Sequence, residues 1–447
     1  VTTAADPAAT DPLLAAYRAV RRTTEALCAP LEVEDYVPQA MPDASPPKWH
    51  LAHTTWFFET FVLRGARADH AEFDPRFNYL FNSYYEAVGP RHPRPQRGLL
   101  TRPTVAEVYR YRAAVDDAVA GLPHRVGADA WRRLAPVLTL GLHHEQQHQE
   151  LLVTDLKYAF SCNPLLPAYH GRPADGPAGR PAPPRWLDFP AGLREIGHAG
   201  DGFAFDNETP RHRVCVEAFR LADRLVTNGE FLGFIDDGGY RRPSLWLSDG
   251  WRAVQEHGWE APLYWRRQGG GWEAYTLAGP RPVAPAEPVT HLSYFEADAF
   301  ARWAEARLPT ESEWETAAET VPVAGHGLDT GRLHPASLVN PGAPGPHQMF
   351  DLWQWTASPY TPYPGYRPAA GALGEYNGNL LLGYSPNPQG QGLQGLAEYN
   401  AKFFFGGMVL RGGSCATPAS HLRRTYRNYF HPSARWQFTG IRLARDV

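Results

Sequence analysis

Cysteine is scarce in this chain and scattered: the four, Cys28, Cys162, Cys215 and Cys415, form no Cys-x-x-Cys pair. That spacing fits reduced cytosolic thiols better than a thiolate zinc site or a disulfide framework. Long apolar runs are also missing; no stretch reaches the roughly 18 residues that a membrane helix needs. There is no basic block, and the formal net charge is -4, which argues against nucleic acid as a partner. The first residues, Val1 to Asp6, have neither a basic start nor an apolar core, so nothing suggests export and the expected location is cytoplasmic. The partners expected are small molecules, on a monomer or small homo-oligomer, with no membrane. What the chain has in quantity is glycine (41), proline (43) and aromatics (14 Trp, 21 Tyr, 21 Phe), the composition of turns and irregular loops with aromatic anchors. Its 447 residues are too many for one ordinary core and imply two or three domains.

Residues from about 10 to 160 read as helical. Asp11 is placed to cap a helix through Leu14, Tyr17 and Val20. Ser45-Pro46-Pro47 opens a second, with proline in its first turn. Thr104 and Glu107 form a capping box for a third. The fourth runs from about Trp131 to Phe160. Four helices suggest an up-and-down bundle, an architecture whose interior commonly hosts metal sites. Seven prolines between Pro164 and Pro184 mark a linker. Beyond it helical periodicity is rare, apart from Thr227 to Asp236, Ser293 to Ala306 and Glu311 to Ala318, and the texture is that of an irregular α+β domain. The expected fold class is therefore a multidomain α+β protein, divided into a helical bundle (1–162), a linker (163–184) and an α+β domain (185–447). Glu375-Tyr376-Asn377 recurs as Glu398-Tyr399-Asn400, and the Gly-, Pro- and Gln-rich stretch 378–396 between them reads as an inserted surface loop or as a lid near the site, which the sequence does not separate.

The most informative run is His143-His144-Glu145-Gln146-Gln147-His148. His144 and His148 share one helix face and can grip one metal ion. The run also matches the zinc-protease pattern His-Glu-x-x-His, in which Glu145 would be a general base. That reading needs a downstream third ligand and an edge strand for peptide, and neither is evident. A second histidine pair, His50 and His53, sits on another helix, so a third imidazole from there would complete a three-histidine site. Three neutral imidazoles do not choose among zinc, iron and copper.

Trp49-His50-Leu51-Ala52-His53 together with His144-Glu145-Gln146-Gln147-His148 resembles the DinB-like bundle of the sulfoxide synthases of ergothioneine biosynthesis, the EgtB-like family. The carboxyl-terminal part resembles, independently, the formylglycine-generating-enzyme-like domain, a C-type-lectin-related fold. The segments that carry this are Asp206-Asn207-Glu208-Thr209-Pro210-Arg211-His212, Arg307-Leu308-Pro309-Thr310-Glu311, Leu352-Trp353-Gln354-Trp355-Thr356 and Leu410-Arg411-Gly412-Gly413-Ser414-Cys415. The resemblance implies a non-haem Fe(II) enzyme that uses O2 to join a thiol sulfur to the imidazole C2 of hercynine, Nα-trimethylhistidine, with oxidation of sulfur to the sulfoxide. It places the iron ligands at His53, His144 and His148 and leaves His50 and His143 as non-ligands. It implies catalytic tyrosines at Tyr84 and Tyr85, and substrate contacts at Gln147 (hercynine imidazole), Arg91 and Arg94 (donor carboxylate), and Asn428, Tyr429 and Phe430 on a carboxyl-terminal loop. Where this chain has Phe430, the mycobacterial-type enzymes carry an acidic residue that holds the amine of γ-glutamylcysteine; cysteine is then the expected donor.

Three other functions compete with this reading. A selenoneine synthase of the same family would take a selenosugar. A ligand-binding module with inert zinc would have no turnover. Formylglycine generation would need a cysteine pair, and here Cys415 stands alone after Gly412-Gly413-Ser414.

Overall fold

The structure, a computed structural model, describes residues 11–67, 69–83, 85, 88–170, 183–338, 343–367 and 405–447. Tyr84, most of the expected linker and the stretch 378–396 with its flanking repeats lie outside the described residues. The chain divides into two compact units, the first running through Ala159 and taking in Phe205–Asn207 and Arg367, the second holding the other described residues from Phe160 onward.

In the first unit, four helices have eleven residues or more: α1 (Pro12–Cys28), α2 (Pro47–Phe57), α3 (Val105–Ala120) and α4 (Ala128–Ser161). Each start has a chemical cause. The Asp11 carboxylate accepts the N–H groups of Leu13 and Leu14 at 2.8 and 3.3 Å, and Pro12 is preset for the first turn. Thr104 and Glu107 close a reciprocal capping box. Every residue of α2 is buried, so it is the helix the others wrap. It does not stop at Phe57 but continues through a π-helical turn, Phe58–Leu63, that places Glu59 to accept hydrogen bonds from the Tyr111 hydroxyl (2.6 Å) and the Phe73 N–H (2.8 Å). α4 approaches it closely at Gly141, where a Cβ would stand 2.5 Å from Phe58 Cε1.

A buried polar cluster ties the four helices together. Glu145 of α4 accepts hydrogen bonds from Arg21 (2.9 Å) and Thr24 (2.7 Å) of α1 and from Arg112 (2.9 Å) of α3. Arg21 reaches on to Thr55 of α2 at 2.9 Å and Asp116 of α3 at 2.8 Å. Buried charge is tolerable only when paired and fully hydrogen-bonded in this way.

The second unit is built from short strands. β1 (Trp186–Phe189), β4 (Phe219–Ala222) and β12 (Ala444–Asp446) form one sheet. β2 (Gly192–Ile196) pairs with β3 (His212–Val216), and β5 (Trp265–Gln268), β6 (Gly271–Thr276) and β7 (Gly279–Pro282) form a meander. The central sheet runs β10 (Arg427–Phe430), β9 (Met408–Arg411), β8 (Trp353–Pro359), β11 (Thr439–Gly440). Four helices lie among them: α5 (Asn228–Asp236), α6 (Ser248–His257), α7 (Tyr294–Trp303) and α8 (Glu311–Ala318). Capping boxes at Thr227/Glu230, Ser293/Glu296 and Thr310/Glu313 start α5, α7 and α8. The core packs Trp314, Phe350, Phe219, Leu221 and Leu422. The Gly-Gly pair after β9 has a steric reason: Gly412 has φ +112°, and a Cβ on Gly413 would stand 2.2 Å from Leu422 Cδ2. The first residues of the expected linker are fastened to the meander, with the Tyr169 N–H on Leu277 O (2.7 Å) and the Tyr275 hydroxyl on Pro167 O (2.6 Å).

Candidate metal centre

His50 and His53 lie one turn apart on α2, and His144 and His148 one turn apart on α4. The packing of these two helices turns sequence-distant imidazoles into neighbours. One ring nitrogen each from His53, His144 and His148 falls within 4.8 Å of the others. His53 Nε2 and His144 Nε2 are 3.1 Å apart. The His53 ring is stacked on Trp49, with centroids at 4.5 Å and planes at 11°, and faces Trp56 on its other partner contact at 5.7 Å and 19°.

Hydrogen bonding selects the form of each imidazole. His53 Nδ1–H donates to Phe81 O at 2.6 Å, which leaves a lone pair on Nε2, directed at His144. His148 Nδ1 and His50 Nδ1 are 2.9 Å apart, and His50 Nε2 lies 3.2 Å from the Asp155 carboxylate. Burial, reinforced by His148 and His144, pushes His53 well below the usual imidazole range. Burial and His50 do the same to His148. His50 is pushed down to about 3, first by burial and then by Arg97 and Arg94. His53 and His144 converge through Nε2 with His148 beside them, and neutral imidazole is the ligating form of histidine, so the donor set fits a metal ion.

The other expected site residues fall in several places. Tyr85 is buried, held by a hydrogen bond from its N–H to Asn82 Oδ1 (3.0 Å), and its ring packs on Phe61 (4.9 Å) and Trp56 (5.5 Å). Burial raises its phenol, which therefore keeps its proton. Tyr84 lies outside the described residues. Gln147 sits within α4 beside His148 and is partly exposed. Arg91 is partly exposed, and the Arg94 guanidinium donates to Asp43 O. Asn428, Tyr429 and Phe430 stand together in the second unit, on an edge strand where a loop was expected. They pair with β9 in the register Asn428↔Leu410, Tyr429↔Val409, and the Tyr429 ring stacks flat on Tyr360 at 4.0 Å.

Two residues with clear geometry escaped the sequence reading. Arg97 is buried, 3.4 Å over the Trp49 ring and 2.9 Å from Ser45 Oγ. It is the third arginine in the spacing of three that begins at Arg91 and Arg94, and that spacing was the available signal. Asp155 follows His148 by two helical turns on the same face of α4, a position the 3.6-residue period alone could have singled out.

Residues 16–152 match the DinB superfamily, and residues 176–447 match the sulfatase-modifying factor enzyme 1-like domain. A hercynine oxygenase from Mycolicibacterium thermoresistibile is 35% identical over 433 residues, spanning 91% of this chain and 88% of that protein. One from Mycobacterium tuberculosis is 34% identical, spanning 91% of this chain and 92% of that protein. This chain belongs to the hercynine oxygenase family. Ergothioneine biosynthesis protein 1 of Schizosaccharomyces pombe is also similar, 26% identical over 259 residues, 55% of this chain and 28% of that one. The family's two-domain order, a DinB-type helical domain followed by an α+β domain like that of formylglycine-generating enzymes, is the order found here.

Within this hercynine-oxygenase-family chain, Glu145 is not the base of a zinc protease. Its side chain is fully buried between Arg21 and Arg112. Burial alone would raise it, but the two guanidinium groups and Thr24 hold it down to about 2. Hydrogen bonds from Arg21, Thr24 and Arg112 occupy both carboxylate oxygens, and the two guanidinium groups neutralise the charge, so Glu145 is a poor base for a water at the metal. Glu145 braces the helix from which His144 and His148 project.

Proposed function

We propose that this chain is an O2-dependent sulfoxide synthase that joins a thiol sulfur to C2 of the hercynine imidazole. One oxygen atom of O2 ends on sulfur and the other leaves as water, which balances the loss of the C–H and S–H hydrogens. The observation that carries the reading is the convergence of three imidazoles from α2 and α4 in a chain similar along most of its length to hercynine oxygenases. Fe(II) is the metal proposed at His53, His144 and His148; when bound, it would pass electrons from the substrates to O2 and offer open coordination positions.

The chain's own residues do the rest. Tyr85 keeps a proton in a dry aromatic setting and donates it during the oxidation, with Tyr84 as its neighbour in sequence. Gln147 offers its amide to the hercynine imidazole. Arg91 and Arg94 take the donor carboxylate, for which the guanidinium fork is suited. Asn428 and Tyr429 take the betaine end, where an aromatic face attracts the trimethylammonium. Phe430 offers no charge to a donor amine, which favours cysteine over γ-glutamylcysteine. The four free thiols suit a cytoplasmic setting.

The test is anaerobic loading with Fe(II), then O2 uptake with hercynine and cysteine, γ-glutamylcysteine or a selenosugar, with product masses. Uptake with cysteine and the mass of hercynyl-cysteine sulfoxide is the expected result. Uptake with the selenosugar alone would move the chain to selenoneine synthesis. Absence of uptake with every donor, despite bound iron, would overturn the reading.

A further inference from the structure

Asp155, His50 and His148 stand in line. Asp155 Oδ2 is held by the Ser45 N–H at 2.8 Å and lies 3.2 Å from His50 Nε2. His50 Nδ1 then lies 2.9 Å from His148 Nδ1. Both His50 and Asp155 are buried, at 2% and 5% exposure, so water does not compete for these positions. A neutral imidazole carries one N–H and one lone pair. Only two arrangements of protons are open to the pair, and they have opposite consequences for a metal.

In the first, His50 Nε2–H donates to the carboxylate. Its Nδ1 is then an acceptor, His148 must place its proton on Nδ1, and His148 Nε2 is a lone pair available to a metal. In the second, His50 carries its proton on Nδ1. Its Nε2 lone pair would then face the Asp155 carboxylate, and His148 would be protonated on Nε2 and unable to ligate. Asp155 Oδ2 already accepts the Ser45 N–H, so as an acceptor oxygen it takes the first arrangement and faces lone pair to lone pair in the second.

We infer that Asp155 and His50 form a relay that fixes the proton of His148 on Nδ1 and so presents Nε2 to the metal. The inference rests on the three-histidine reading of the site and deepens it: His50 and Asp155 are positioning residues that touch no substrate. The metal's third ligand is thereby chosen by a residue two turns along α4, across a histidine of α2. The bond that orients a ligating imidazole through its other nitrogen is a general feature of metal sites, and its loss typically weakens metal binding by about 10–100-fold.

The experiment is an anaerobic Co(II) titration of the full chain, read by the Co(II) visible spectrum, with thermal unfolding of each metal-free variant as a folding check. His50→Leu and Asp155→Leu remove the acceptor, and each should raise the Co(II) dissociation constant about 10–100-fold. His50→Gln keeps an acceptor oxygen for His148 Nδ1–H, and Asp155→Asn keeps one for His50 Nε2–H. Both should recover most of the affinity and the parental spectrum. This rescue separates the relay from a packing role, and the two polar variants decide the matter by themselves if the leucine variants fail to fold. Affinities within about threefold of the parent in the leucine variants, or polar variants as weak as a ligand deletion, would overturn the relay. His53→Ala tests the site itself: if it binds Co(II) like the parent, the three-histidine reading falls and the relay with it. If His53→Ala loses binding while the leucine variants do not, the relay alone is wrong.

Discussion

Glu145 shows how a residue can be legible as important and illegible in its role. The run from His144 to His148 announces two imidazoles on one face, but the letter between them says nothing about which way it points. In the bundle it points at Arg21 and Arg112. Removing one partner of such a buried pair typically costs about 3–5 kcal/mol, so Glu145→Gln should lower the urea-unfolding free energy at pH 7 by that amount. The sign of the pH dependence follows from its depressed value. The contribution is complete above the usual 4.5 and drains away as pH falls toward about 2. The difference between parent and Glu145→Gln should therefore shrink when unfolding is measured at pH 3; a difference that stays constant would contradict the pairing. Tyr85 carries the other residue-scale expectation. Tyr85→Phe should leave Co(II) binding unchanged and slow sulfoxide formation by about 10²–10⁴-fold, the usual worth of a placed proton donor. Unchanged turnover, measured by product mass against time, would transfer the role to Tyr84.

Helix starts were the most readable elements, because a cap is local chemistry: Asp11, Thr104, Thr227, Ser293 and Thr310 each accept a backbone N–H at the start of the helix they precede. α6 was missed for the complementary reason. It begins after Leu247 with no side-chain cap, and it buries only Gly250, Ala253 and Val254, too small a face to show as a periodic stripe. The π-helical turn after Phe57 was equally hidden, since nothing in Phe58-Glu59-Thr60 distinguishes it from an ordinary helix. The close approach of α4 to the end of α2 at Gly141 tests whether this geometry sets the site. A Cβ on Gly141 would stand 2.5 Å from Phe58 Cε1 and 3.0 Å from Phe57 Cε1, and both rings are fully buried. Gly141→Ala should cost about 1–3 kcal/mol by overpacking and weaken Co(II) binding, because His144 lies one turn further along. Adding Phe58→Leu should restore part of both, as a double-mutant cycle would show; strictly additive losses would mean that the two positions do not press on each other.

At the scale of the whole chain, two textures were visible: helical periodicity before the proline cluster and turn-rich strands after it. The pairing order of the strands was not, since β8 meets β9 across a long sequence gap and β11 in parallel, and no local signal encodes such partners. Both histidines of α2 face α4, His53 beside His144 and His50 beside His148, and residue spacing alone could not say which of them would join the three-histidine group. Among the described residues no helix is long and apolar enough to cross a membrane. Because the proposed ligands exist together only in the folded bundle, metal should stabilise it by mass action: about 2.7 kcal/mol at a free Co(II) concentration 100 times the dissociation constant. The unfolding midpoint should rise with Co(II) and fall back with a chelator, and a midpoint indifferent to both would remove the metal from the fold's energetics.

The His53–His144 pair has a further consequence in terms of chain statistics. The two residues are 91 positions apart, so an ion held by both closes a loop through most of the first unit. A permanent closure of about 100 residues restricts an unfolded chain by roughly 4.7 kcal/mol in the chain-entropy estimate. The four cysteines, all free, provide no such closure. The metal closure differs from a disulfide in being released on unfolding, so a chelator would act by withdrawing binding energy from the native bundle and would leave the loop that the unfolded chain explores as open as before.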